Sequence, residues 1–320
     1  MTFAHARRNA NLMALTAALF WSMSFVCIRE VLDQLKTAST MPWEAALALF
    51  QSRMLLTAVA FVPNVVAERK WIGTLNRRDW MLVGIILLTS SFGYHLPLNL
   101  GAQHLPSGFV SLLIALSPIF AALLARVILG EKLGIARLTA VLLGFLGIGI
   151  CLVAQKRFRF DIGFLGWNGV LGPVCVMLAA MDGAFFAVIG RSVRKEIPAG
   201  LKLGIAMIGT VLFALPLWNS TILHLLTQLN ARGWLAILYL AIVCTHTASL
   251  LWYGALKTLD AVEVTIYLNA TTLFALLWGA LIFHEKIRPL YLVGALCIMA
   301  AVFLATRNQK KEMDPPPSIS

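Results

Sequence analysis

The chain is divided into apolar runs of roughly 20 residues, about the length a helix needs to cross the hydrocarbon of a bilayer. Read between their charged or Pro/Gly breaks, these runs predict helices at 12–30, 43–66, 80–101, 106–129, 135–154, 166–190, 199–219, 233–256, 260–283 and 289–306. A chain in lipid must satisfy its own backbone N–H and C=O groups, so an isolated apolar run folds there as a helix. The expected fold class is an all-α membrane protein with ten transmembrane helices. Composition agrees: 12% of the 320 residues are charged and 60% hydrophobic, whereas a soluble domain carries about 25% charged residues.

The formal net charge is +12, but its Lys and Arg residues fall in short loops between the apolar runs. There they anchor and orient helices. No basic stripe interleaved with aromatics is present, so no nucleic acid partner is expected. On a ten-helix thread Arg7, Arg8, Arg69, Lys70, Arg77, Arg78, Lys132, Arg137, Arg191, Arg194, Lys195, Lys202, Lys257, Arg307, Lys310 and Lys311 fall on one side, and Arg29, Lys36, Lys156, Arg157, Arg159, Arg232, Lys286 and Arg288 on the other, about two to one. The positive-inside rule then predicts cytoplasmic N- and C-termini. Five cysteines lie singly in apolar segments without CxxC spacing and signal neither zinc nor a disulfide framework. The first apolar run reads as an uncleaved helix, and the polar, Pro-rich stretch 307–320 reads as a disordered cytoplasmic tail.

An internal repeat is the most informative large-scale feature. Glu131-Lys132 recurs as Glu285-Lys286, a shift of 154 positions (285 minus 131) that also lays Arg78-Asp79-Trp80 on Arg232-Gly233-Trp234 and Phe120-Ala121 on Phe274-Ala275. Tryptophan and Glu-Lys matches are rare in apolar sequence, so the shift points to duplication. The expected halves are 12–154 and 166–306. Five helices per copy is an odd number, so the second copy enters the membrane in the opposite sense. Inverted repeats of this kind underlie alternating access, in which a midplane site opens to either side.

The stretch Gly108-Phe-Val-Ser-Leu-Leu-Ile-Ala-Leu-Ser-Pro118-Ile-Phe-Ala-Ala-Leu-Leu, then Gly130-Glu131-Lys132, then Gly144 and Gly147, resembles the EamA-type branch of the drug/metabolite transporter superfamily. Leu19-Phe20-Trp21-Ser22-Met23-Ser24-Phe25-Val26 and Arg53 are similar to that family's first two helices. The second copy departs from the pattern at Thr271-Thr272, His284 and Asp182-Gly183. The resemblance implies two fused five-helix units that export or take up small metabolites such as amino acids, in a bacterial inner membrane.

Ionisable groups inside hydrocarbon are costly and mark a pathway or a buried partner. Arg53, near the middle of the second predicted helix, offers a planar fork for a carboxylate or phosphate. Asp182 offers a proton-coupling carboxylate, although an Arg53–Asp182 ion pair that only fastens two helices would explain both residues. His246, between Thr245 and Thr247, is either a ligand or an interhelical hydrogen bonder. Tyr94 and His95, the cluster of Tyr267, Asn269, Thr271 and Thr272, and Trp21 complete the candidate solute-binding set. Pro97 and Pro118 each remove a backbone donor and form the candidate gating pair. Glu131 and Glu285 open the turns before the fifth and tenth helices and read as structural, favouring helix N-termini. Asn219-Ser220-Thr221 matches a glycosylation sequon on an outer loop.

Gly147-Ile-Gly149 lacks the third glycine and the preceding strand of a dinucleotide fingerprint, and His284-Glu285 has Arg288 where a zinc-protease motif needs histidine. No Gly-x-Ser-x-Gly, His-Glu-x-x-His or carboxylate cluster signals an enzyme. The expected partners are the lipid bilayer and a small solute, a homodimer stays open, and no cofactor or metal is implied. The sequence reading is a secondary transporter working by proton-coupled exchange or efflux. Its rival is a polytopic enzyme, or a lipid-handling or sensor protein without carrier activity.

Overall fold

The computed structural model describes residues 3–39, 41–117, 119–120, 123–124, 135–154, 167–190, 197–259, 261–283 and 289–313. These are helical apart from short turns. We label the helices α1 (Phe3–Lys36), α2 (Pro42–Ala67), α3 (Arg77–Ala102), α4 (Ser107–Ile114), α5 (Ile135–Ala154), α6 (Trp167–Gly190), α7 (Ala199–Ala214), α8 (Ser220–Thr227), α9 (Ala231–Ala255), α10 (Ala261–Phe283) and α11 (Pro289–Met313). Five segments, in α1, α2, α3, α7 and α9, are long and apolar enough to cross a membrane. Shorter apolar stretches lie within α5, α6, α10 and α11.

Local chemistry sets the helix ends. Asn76 caps α3, its Oδ1 accepting from the Asp79 N–H at 2.9 Å while Asp79 Oδ2 accepts from the Asn76 N–H at 3.0 Å. This reciprocal pair satisfies two of the donors that a helix start leaves free. Asn230 caps α9 by accepting from the Arg232 and Gly233 N–H groups at 2.9 and 3.1 Å, while its own N–H donates to Gln34 Oε1 at 3.1 Å. The shift of 154 maps Asn76 onto Asn230. Asn219, read as part of a sequon, caps α8 through the Ile222 N–H at 2.9 Å. α8 packs Ile222, Leu225 and Leu226 inward as a short amphipathic helix.

Several boundaries differ from the sequence expectation. α1 begins at Phe3, where Ala10 and Ala14 pack into a small cluster with Ala255 and Leu259. α7 ends at Ala214, and Pro216 sits in a 3-10 turn, Leu215–Leu217, instead of inside the helix. α11 runs on to Met313, so residues 307–313 are helical where a disordered tail was expected. The Arg, Gln, Lys and Glu residues there are good helix formers, and cations are favourable near a helix C-terminus.

Both α3 and α9 contain an internal π-helical stretch, Leu87–Gly93 and Tyr239–Thr247. Under the 154 shift both stretches end at the same position. Pro97 follows the first, but its counterpart after the second is Leu251, so proline is not what causes them.

The packing obeys the same shift. α1 packs along α9 and α10, while α6 packs along α3 and α4; α2 packs on α7, and α5 on α11. A Cβ built at Gly147 would meet the Gly294 carbonyl and Ile298 Cγ1, each at 2.7 Å. The α5–α11 crossing therefore needs glycine. Gly144 lies in ordinary contact with Ala301, whose Cβ is 3.6 Å from a Cβ built there, the pair obtained by shifting and exchanging residues 147 and 298. The main core runs through both halves, with Phe50, Phe61 and Phe109 fully buried.

Candidate functional site

Arg53 lies in the middle of α2 and is 4% exposed. Its Nε and Nη2 donate to Thr245 Oγ1 on α9 at 3.0 and 2.9 Å. The Thr245 hydroxyl donates in turn to the Leu240 carbonyl, 2.8 Å away and five residues back in the π-helical stretch. Thr57, one turn along α2, ties down the Arg53 carbonyl at 2.8 Å. Arg53 Nη1 is buried without a partner. Tyr94, Cys27 and Cys244 lie close enough to feel the guanidinium charge.

Asp182 on α6 is the second ionisable group of this region. Its carboxylate presses on the backbone of Gly93, where any Cβ would overlap it, and its Oδ2 is buried without a partner. No ion pair joins Asp182 to Arg53. Tyr94 lies near both and packs over Gly183 on α6. The His95 ring meets the Tyr94 ring edge-on at 5.0 Å, and its Nδ1 is also buried without a partner. Asn99, one turn further along α3, donates to the Ala46 carbonyl at 3.3 Å and leaves Oδ1 unpaired. Buried polar groups normally find partners. An unpaired cationic donor, a carboxylate oxygen, an imidazole nitrogen and an amide oxygen thus share one region between α2, α3 and α6.

The other sequence candidates lie elsewhere. His246 Nε2 is 2.9 Å from Asn64 Oδ1 and its ring packs on Phe61 at 4.5 Å, about three turns along α2 from Arg53. Trp21 donates to the Cys244 carbonyl at 2.8 Å and packs against Trp252. Thr271 donates to the Ala18 carbonyl at 3.2 Å and Thr272 to the Ser111 carbonyl at 3.5 Å. Tyr267 packs on the cluster of Ala10, Ala14, Ala255 and Leu259. Pro97 lies inside α3, four residues after the end of its π-helical stretch. Pro118, Glu131, Glu285 and the side chain of Asn269 lie outside the described residues. Thr245 and Asn99 are additions that the sequence reading did not single out. The only signal for Thr245 was its place beside His246. Among the described residues no three His, Cys, Asp or Glu side chains converge as metal ligands.

The profile of the EamA-like transporter family matches this chain twice, over residues 8–153 and 170–307. The chain belongs to that family. This EamA-like protein is an integral, multi-pass membrane protein of a transporter family within the drug/metabolite transporter superfamily. It is 23% identical over 301 residues to an uncharacterized transporter of Archaeoglobus fulgidus, covering 93% of this chain and 98% of that one. It is 27% identical over 290 residues to a protein of Streptantibioticus cattleyicolor named "Probable terminal-alkyne amino-acid exporter", covering 90% of each. A solved crystal structure shares its fold at a TM-score of 0.59 and 18% identity, with 95% of this chain and 99% of that one covered.

Proposed function

We propose that this EamA-like protein is a secondary active transporter that moves a small polar metabolite, such as an amino acid, by alternating access. The observation that carries this reading is the set of unpaired buried polar atoms on Arg53, His95, Asn99 and Asp182. They lie where helices of the first half meet α6 and α9 of the second. The two family matches, the paired N-caps and π-helical stretches, and the exchange-symmetric packing support a thread of ten transmembrane helices in two inverted halves. On that thread the basic loops favour cytoplasmic termini in a bacterial inner membrane. Arg53 takes the anionic group of the solute and Tyr94 lines the path. Asp182 is the group that takes up and releases the coupling proton, in exchange or efflux. α3 and α9 flex at their π-helical stretches, the first next to Pro97. The relative named as an amino-acid exporter agrees with this solute class.

The test is a metabolite screen in proteoliposomes under imposed pH gradients, with wild type, Arg53→Ala and Asp182→Asn. Wild type is expected to move an anionic or zwitterionic solute, Arg53→Ala to lose it, and Asp182→Asn to lose its dependence on the gradient. A wild-type protein that moves no solute in any gradient, or two variants indistinguishable from it, would refute the proposal.

A further inference from the structure

We infer that Thr245 occupies the anion-binding edge of Arg53 in the absence of solute, and that an arriving carboxylate displaces it and loosens α9 against α2. This rests on the reading of Arg53 as the anion site. The Nε/Nη2 edge of a guanidinium is the one a carboxylate grips with two parallel hydrogen bonds. Here a single neutral oxygen, Thr245 Oγ1, covers both donors at 3.0 and 2.9 Å. A carboxylate brings two oxygens and a full charge, so it competes well for that edge.

Displacement costs Thr245 little. Its hydroxyl proton is committed to the Leu240 carbonyl at 2.8 Å, so no buried donor is stranded when the guanidinium turns away. A buried group left with no hydrogen bond is the costly outcome, and this hydroxyl keeps one. Both Leu240 and Thr245 belong to the π-helical stretch Tyr239–Thr247, a geometry that occurs mainly as local bulges at functional sites. Once Arg53 has left, the hydrogen bonds from α2 to this stretch are the long Thr57 bond to the Ala241 carbonyl at 3.4 Å and the His246–Asn64 bond at 2.9 Å. The tie nearest the solute is the one the solute removes.

The repeat gives this event a direction. Shifting and exchanging the pair Arg53–Thr245 gives Ser91–Met207, and those residues do meet, Ser91 Oγ lying 3.9 Å from Met207 Sδ. That contact carries no charge, so an anion has no grip on it. Binding of an anion therefore loosens α9 from α2 and leaves the matching α3–α7 contact intact.

Hydrogen exchange of the amides in 239–247, followed in nanodiscs with acetate as the carboxylate probe and acetamide as its neutral counterpart, tests the exchange of partners. Thr245→Val removes the hydroxyl, both the acceptor for Arg53 and the donor to the Leu240 carbonyl, whereas Arg53→Met removes only the tie from α2; each should speed exchange there roughly tenfold without ligand, while Thr245→Ser stays like wild type. Acetate, and not acetamide, should speed exchange in wild type and add nothing in Thr245→Val. If Thr245→Val and Arg53→Met exchange like wild type while acetate still binds wild type and not Arg53→Met, the displacement is wrong and the anion site stands. If acetate changes nothing in wild type or Thr245→Val, the anion-site reading itself is wrong.

Discussion

Arg53 and Met207 hold matching positions in the two halves, yet only one is charged. Arg53→Met installs the other half's residue and keeps an unbranched side chain of similar reach, so it should leave folding intact. It should lower affinity for a carboxylate solute by about 10- to 100-fold, the worth of a bidentate charged hydrogen bond, read as binding by the purified protein. Gly93→Ala should be harsher, because its Cβ would strike the Asp182 carboxylate; transport is expected to fall with the protein still folded by size-exclusion chromatography. The sequence exposed Arg53, Asp182, Tyr94 and His95 because polar groups stand out against apolar runs. It did not show that Arg53 and Asp182 stay apart, since pairing depends on which faces of α2 and α6 meet. Nor did it single out Thr245 or Asn99, whose roles arise only once α9 meets α2 and α3 does.

At the scale of elements, Asn76 and Asn230 make the helix starts of α3 and α9 a matched pair. Asn230→Ala should cost about 0.5–2 kcal/mol, seen as a lower thermal midpoint in detergent, and Asn76→Ala a similar amount. Gly147→Val at the α5–α11 crossing should cost about 1–3 kcal/mol by overpacking in the same assay. Apolar runs between charged or Pro/Gly breaks located most of the described helices within a few residues, because length and hydrophobicity alone decide what fits a bilayer. The π-helical stretches stayed invisible because their hydrogen-bond register is set by neighbouring helices, not by residue type. α8 was missed because its few inward residues, Ile222, Leu225 and Leu226, are too short a pattern to stand apart from a loop.

At the scale of the molecule, each half covers faces that the other half leaves open. α1 lies against α9 and α10, and α6 against α3 and α4. Either half expressed alone, cut between 154 and 167, should therefore fail to transport, and the two co-expressed should restore uptake in vesicles. The 154-residue shift was legible from rare residues such as Trp80 and Trp234, but the exchange of partners across it was not. The uneven pair, Arg53 facing Thr245 and Met207 facing Ser91, also bears on energetics. Two equal halves would have offered two guanidiniums and room for two repelling anions. Under the proposed carboxylate transport, one anion would cross per turnover, and where the coupling proton does not compensate its charge a membrane potential acts on it by about 2.3 kcal/mol per 100 mV. If the solute brings no compensating cation, voltage alone biases the direction of net flux.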